Sequence, residues 1–270
     1  MSEDHSDQAA WQTLESNPDV LTAYAVSLGL SRAWHFVDVL SCAPEMRSFV
    51  PRSAVAFLVV VPLSDVKRSE ALLASIDADD DRVVFVKQQV ANACGTIGVI
   101  HAVSNNRQSL DVDRPTSLLA QFARTDLGKS ELAALAEASS ELKKAHEEAT
   151  QQSVSAAEGH RGDLHFVCFT SSHDRLFELD GRTPGPIDRG ACGANEFVDR
   201  CCDLLAELMA SSGGALTFSI TALCKVDSDD APNSAAIGQL MDMGVVRDRD
   251  HAAEVLAMCG SIEAALSMLL

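Results

Sequence analysis

Lys87-Gln88-Gln89-Val90-Ala91-Asn92-Ala93-Cys94-Gly95-Thr96-Ile97-Gly98-Val99-Ile100-His101-Ala102-Val103 is the stretch around which the chain is organised. It follows the apolar run Val83-Val84-Phe85-Val86, which reads as a short strand, so Cys94 falls where a strand-to-helix loop turns into a helix. Backbone N–H groups and the positive end of the helix dipole converge on a thiol placed there, lowering its pKa from about 8.5 toward neutrality. Gln88, upstream in the same loop, can turn its side-chain amide to the same point. Together with the backbone N–H of Cys94 it would make a two-donor oxyanion hole. Position alone leaves two readings open: a cysteine hydrolase nucleophile, or a plain core cysteine on a buried helix, the commoner fate of a free thiol.

Outward from this stretch, the pattern is that of helices covering both faces of a sheet. Asn17-Pro18 predicts a helix start, with Asn as N-cap, Pro in the first turn, Val20, Leu21, Tyr24, Ala25 and Leu28 on one face, and Gly29 as the stop. His35 to Leu40 has strand-like residues, and Ala54 to Val61 is apolar on both faces, as a central strand is. Pro115 to Arg124 and Ser130 to Ala149 read as helices, and Thr150 to Gly162, small and polar without periodicity, as a mobile loop. Leu164 to Phe169 and Arg175 to Leu179 predict a hairpin around Ser171-Ser172-His173-Asp174. Ala194 to Ala210 reads as a helix and Ala215 to Lys225 as a last strand, giving an α/β (α+β) domain with a mainly antiparallel sheet.

The 270 residues carry a formal charge of −18 with no block of Lys or Arg, which argues against nucleic acid and anionic membranes and leaves two readings, a basic partner or solubility alone. The eight cysteines show no CxxC spacing and fit free thiols in a reducing compartment; neither a metal nor another cofactor is expected. The acidic start lacks a signal-peptide pattern, and no apolar run approaches the ~18 residues of a membrane span. The expected location is the cytoplasm, with the nucleus as a second compartment, and the expected state a monomer.

A thiol nucleophile needs a base, and the base needs a group to fix its tautomer. His165 lies in the first strand of the predicted hairpin and Asp180 at the end of the second, where pairing can bring them together. His101 sits about two turns along the helix from Cys94, roughly 10 Å away and out of direct reach. Each residue taken singly has a structural reading as well: a strand His is commonly a core or edge residue, and an Asp before Gly181 a turn former.

Gln88 to Asn106, with Leu164-His165-Phe166 and Leu176-Phe177-Glu178-Leu179-Asp180-Gly181-Arg182, resembles the ubiquitin C-terminal hydrolase family of deubiquitinating cysteine proteases. The likeness starts at Trp11, passes through Leu14-Glu15-Ser16-Asn17-Pro18 and Trp34 to Val39, and runs to about Lys225. It implies a catalytic domain over residues 10–226 with a knotted, papain-like fold, Cys94 as nucleophile, His165 as base, Asp180 as orienting acid and Gln88 in the oxyanion hole. It also implies ubiquitin and its C-terminal adducts as partners, with Leu14, Glu15, Asn17 and Pro18 as contacts. A crossover loop near residues 149–163 would favour small or unstructured leaving groups. The chain departs from the pattern at Gln89, where Thr is usual, and after Arg182, where Pro184-Gly185-Pro186 and Arg189-Gly190 replace an aromatic and a His. A ubiquitin-holding protein with little turnover is the alternative to an enzyme.

After a polar, acidic linker at 227–234, residues 235–270 read as three short helices. Their pattern, Leu240-Met241-Asp242-Met243-Gly244-Val245 through Ile262 to Leu269-Leu270, resembles a ubiquitin-associated domain. That resemblance implies ubiquitin contacts at Met243, Gly244, Leu269 and Leu270, with Val245 in place of the usual aromatic. A helical cap on the catalytic domain is the other reading.

Overall fold

The continuous apolar run beginning at Ala54 forms the middle of the sheet, because a strand with no polar face must be covered on both sides. In the computed structural model this is β2, Ala56–Pro62. The other strands are β1 (Trp34–Asp38), β3 (Leu164–Ser172), β4 (Arg175–Leu179), β5 (Ile187–Ala191) and β6 (Ser219–Lys225). The six strands lie in the order β1-β6-β2-β3-β4-β5. β2 pairs antiparallel with β3 and with β6, β3 with β4, and β4 with β5, and Val61 lies opposite His165. The structure describes residues 11–62, 70–74, 76–110, 117–122, 129–151, 164–193, 195–211, 219–226 and 246. The chain divides into two compact units, Met1–Cys224 and Lys225–Leu270. The expected linker at 227–234 and the expected three-helix module at 235–270, Val246 apart, lie outside the described residues, as does most of the expected loop at 149–163.

Successive residues of β2 point to opposite faces and enter two separate cores. Ala56, Leu58 and Val60 join Phe166, Phe177 and Leu179 under α1 (Pro18–Leu28) and α3 (Cys94–Asn105). Phe57 and Val59 join Val167, Phe169 and Ala222 under α7 (Phe197–Ser211). Further helices complete the domain: α2 (Glu70–Ala74), α4 (Leu118–Phe122), α5 (Lys129–Ala138), α6 (Ser140–Gln151) and a 3₁₀ helix at Pro44–Phe49. Among the described residues, no helix is long and apolar enough to cross a membrane.

The first helix forms as its sequence dictates. Asn17 Oδ1 accepts from the N–H groups of Asp19 and Val20, and Gly29 closes the helix at φ 117°, where its N–H reaches the carbonyls of Ala25 and Val26. The cap is worth about 1 kcal/mol. The hairpin turn is tighter than expected: β3 continues to Ser172, and only His173 and Asp174, at φ 50° and 57°, connect it to β4. Two central residues with positive φ suit the twist of the flanking strands.

Three expectations are corrected. Val83 to Val86 is not a strand; its backbone is satisfied by side chains of α3 instead of by a neighbouring strand. Val84 exchanges two hydrogen bonds with the Asn105 side chain, and Val86 N–H donates to His101 Nε2 at 2.8 Å. The single helix expected over Ser130 to Ala149 is two helices, because Ser139 Oγ accepts from Leu142 N–H and caps α6. That helix runs on to Gln151, into the segment read as loop. The strand β5 was not expected at all. Its Ile-Asp-Arg-Gly-Ala sequence lacks an apolar alternation and is held by charge: Asp188 pairs with Arg82 and Arg175, and Arg189 with buried Glu178.

Candidate active site

α3 opens without a side-chain cap, its N-cap position being Ala93. The first N–H groups of a helix have no partner within it, so an uncapped start leaves donors and the positive dipole end available to the residue that occupies it. Cys94 is that residue, and only 6% of its surface is exposed. The preceding loop is drawn tight by Asn92, at φ 64°, whose side-chain amide donates to Trp11 O, while Trp11 N–H donates to Ala91 O.

The pairing of β3 with β4 brings the other two groups to the sulfur. His165 is 3% exposed and Asp180 1%. His165 Nε2–H donates to Asp180 Oδ1 at 2.6 Å, which leaves Nδ1 for the hydrogen bond that the ring makes with Cys94. Asp180 Oδ1 also accepts from Arg182 N–H at 2.8 Å, and the Asp180 carbonyl accepts from Thr183 N–H and Oγ1–H. The carboxylate is thus locked in a turn and can rotate the ring only into the orientation it now has.

Burial disfavours the His165 imidazolium, but the hydrogen bonds to Asp180 and Cys94 outweigh it and raise the pKa to about 9. For Cys94, burial pushes the thiol up. The His165 ring and the backbone N–H groups of Phe166 and Gly95 reverse that, and the net shift is downward. Both shifts act in the same direction, toward a thiolate facing an imidazolium, which is the arrangement a thiol nucleophile and its acid need.

Gln88 sits in the loop before Cys94. Its N–H donates to Gly181 O at 2.8 Å, tying this loop to the Asp180 turn. Its side-chain Nε2 donates to Val90 O at 2.9 Å and carries a second hydrogen for another acceptor. Gly181 permits the contact: a Cβ there would lie 3.0 Å from Gln88 Cβ and Ile97 Cγ2 and 3.1 Å from Gln88 N.

A buried polar chain anchors the start of α3 from its far side. Tyr24 O–H donates to Thr96 Oγ1, Thr96 O–H to His146 Nδ1, and His146 Nε2–H to Gln12 O, at 2.8, 2.8 and 2.7 Å. Burial keeps the His146 ring neutral, which is the state this chain of donors needs.

Of the expected partner contacts, Leu14 is 2% exposed and lies beneath Gly95, where a Cβ would meet Leu14 Cβ at 2.9 Å. It is a core residue that seats the helix beginning at Cys94. Asn17 uses its carboxamide oxygen on the cap of α1, and Glu15 and Pro18 are half-buried. Met243, Gly244, Leu269 and Leu270 lie outside the described residues. Sequence reading missed Gly181, Leu14 as support, and the Phe166 amide at the sulfur. Only Gly181 carried a signal, as a glycine beside a site residue.

Residues 11–210 match the family model described as ubiquitin carboxyl-terminal hydrolase, family 1. A probable ubiquitin carboxyl-terminal hydrolase of Dictyostelium discoideum is 31% identical over 234 residues, covering 83% of this chain and 91% of its own. The ubiquitin carboxyl-terminal hydrolase isozyme L1 of Homo sapiens is 30% identical over 217 residues, covering 78% and 97%. Among solved structures, the Trichinella spiralis UCH37 catalytic domain bound to ubiquitin vinyl methyl ester superposes with a TM-score of 0.63 at 16% identity, covering 81% of this chain and 97% of that one.

Proposed function

The chain belongs to the ubiquitin carboxyl-terminal hydrolase family, and we propose that it is a thiol hydrolase cleaving ester, thioester, peptide or isopeptide bonds after the last glycine of ubiquitin. The observation that carries this is the line from Cys94 through His165 to Asp180, buried and hydrogen-bonded throughout. In the reaction, the Cys94 sulfur attacks the carbonyl carbon. The oxygen takes up the charge and is held by the Cys94 backbone N–H and the free amide hydrogen of Gln88. His165 gives its proton to the leaving group, then takes one from the water that releases the acyl group from sulfur, and Asp180 holds the ring through both steps.

The test is hydrolysis of ubiquitin carrying a C-terminal fluorogenic amide. Wild type turns it over and Cys94→Ala does not, and ubiquitin vinyl methyl ester adds to wild type at Cys94. Turnover that survives Cys94→Ala would overturn the assignment.

The segment from 235 to 270 is proposed as a ubiquitin-associated domain that recruits ubiquitin through Met243, Gly244, Leu269 and Leu270; the sequence pattern supports it. A linker of eight residues (227–234) spans roughly 14–17 Å, short enough for a high effective concentration. Deleting residues 231–270 is expected to leave kcat on monoubiquitin esters unchanged and to weaken binding of ubiquitin chains. A truncated enzyme that loses its fold, with an isolated module showing no ubiquitin-induced NMR shifts, would make the segment a cap instead.

A further inference from the structure

Gln88 stands at the end of a short segment that runs beside α3 in the opposite direction. Every second N–H of this segment is taken by a group outside it: Val84 N–H by Asn105 Oδ1 at 2.7 Å, Val86 N–H by His101 Nε2 at 2.8 Å and Gln88 N–H by the Gly181 carbonyl at 2.8 Å. This is the alternation of a strand edge, with two side chains and one carbonyl in the place of a neighbouring strand. The spacings agree. Two residues of extended chain advance about 6.6–6.8 Å and four residues of helix about 6 Å, so acceptors at 105 and 101 meet donors at 84 and 86. One further step along each element leads to Gln88 and Ile97, and the two do come together: a Cβ on Gly181 would lie 3.0 Å from a side-chain carbon of each. Ile97 is in the first turn of α3, so the segment is delivered to the end of the helix where Cys94 stands.

Asn105 is the firmer of the two side-chain holds and uses its whole amide. Oδ1 accepts from Val84 N–H, and the Nδ2 hydrogens go to Val84 O and His101 O, both at 2.9 Å. The bond to His101 O, within the last turn of the helix, fixes the plane of the amide. The paired bonds to Val84 therefore set the register of the segment as well as holding it. His101 offers a single acceptor, on a fully buried ring stacked on Phe85 with the centroids 5.3 Å apart.

We propose, on the oxyanion role given to Gln88 above, that Asn105 is a positioning residue for that amide: by gripping Val84 it fixes where Gln88, four residues on, stands relative to Cys94. Asn105 closes α3 at the end away from Cys94, about 16 Å along the axis, and takes no part in the chemistry. What it decides is whether the free amide hydrogen of Gln88 and the Cys94 N–H point to one oxygen. Loss of the grip lowers kcat and leaves KM nearly constant, because the charge on that oxygen develops only as the carbonyl is attacked.

The experiment is a double-mutant cycle on the full chain, with the fluorogenic ubiquitin amide as substrate and thermal unfolding measured beside it. Asn105→Ala is expected to lower kcat about tenfold, with KM within about twofold of wild type. In a Gln88→Ala background the same substitution is expected to change kcat by less than about twofold, because the amide it positions is gone. Asn106→Ala controls for a loosened helix end: its side chain bonds instead to Ala102 O at 2.8 Å and Thr170 Oγ1 at 2.9 Å. That variant should lose melting temperature and keep its kcat. Asn105→Gln, the same amide on an arm one methylene longer, enters the same cycle should Asn105→Ala fail to fold. Losses that multiply in the double variant, an Asn105→Ala enzyme as fast as wild type, or an equal loss of kcat in Asn106→Ala would overturn the proposal. A Gln88→Ala enzyme as fast as wild type is a different result: it would strike the oxyanion reading itself and take the proposal with it.

Discussion

Gly181→Ala tests whether the joint between two loops, and not the side chains of Cys94, His165 and Asp180 alone, sets the rate of the proposed reaction. The added methyl would stand 3.0 Å from Gln88 Cβ and Ile97 Cγ2 and 3.1 Å from Gln88 N. Carbon contacts are comfortable at about 3.5–4.0 Å, so the three neighbours or the turn itself must yield by about 0.5 Å. None of the three gives easily. Two belong to or adjoin the Gln88 backbone, which is bound to the Gly181 carbonyl at 2.8 Å, and Ile97 is 4% exposed on the first turn of the Cys94 helix. Overpacking of this kind costs about 1–3 kcal/mol, or roughly 2–4 °C per kcal/mol for a domain of this size. Because a displacement of about 1 Å can cost 10²-fold in rate, half of that shift between Asp180 and Gln88 should lower kcat about tenfold. Steady-state hydrolysis of the fluorogenic ubiquitin amide, run beside thermal unfolding, separates the two effects. Expected are a lower melting temperature, kcat down about tenfold and KM little changed. A kcat within twofold of wild type in a folded, destabilised variant would show that the close approach serves packing only.

Gln88→Ala should lower kcat by roughly 10²–10³ with KM nearly constant, since the amide acts as charge develops on the oxygen. Gln89→Ala, at an exposed neighbour, should cost far less, and equal effects would sink the oxyanion assignment. Acid should destabilise the fold through His101, which burial drives down to about 4 against attraction from Asp180. The unfolded ring binds a proton below about 6.5 and the folded one does not, so stability is full above that pH and falls as pH drops toward 4, by at most about 3 kcal/mol. Urea midpoints measured across this window should fall less steeply in His101→Gln. His165 works in the opposite sense, its contribution being complete below about 6.5 and lost as pH rises through about 9. Inserting several Gly/Ser residues between 152 and 163 should cost only about 0.6 kcal/mol per doubling of loop length. Cleavage of ubiquitin fused to a folded domain should then speed up; an unchanged rate would remove this segment from leaving-group selection.

What could be read in the sequence was what depends on neighbours a few residues away. The cap and stop of α1 lie within the helix they bound, and β2 declares its central place by having no polar position. The hairpin that joins His165 to Asp180 needs only two strands and a two-residue turn, so the two side chains can be paired from strand signals alone. The misread segments are those whose hydrogen bonds come from elsewhere in the chain. Val83 to Val86 has strand composition, yet its partners are the side chains of Asn105 and His101 on α3. Ser139 interrupts a helical period because its hydroxyl caps the following turn, and β5 depends on arginines from Arg82 and Arg175 as well as its own.

The same division runs through the site. Cys94 and its helix start are local, while what makes the sulfur a nucleophile is assembled across the fold. The Phe166 amide comes from β3, the imidazole is turned by a carboxylate after β4, and Leu14 beneath Gly95 keeps the helix seated. Burial by itself would raise the Cys94 thiol, as it does at Cys168 and Cys201, so these non-local donors decide the sign of the shift. An uncapped helix start with a cysteine is therefore only a place where a nucleophile can be built. The hairpin brought against it, locked at Asp180 and joined to Gln88 through Gly181, supplies the imidazole and holds it there.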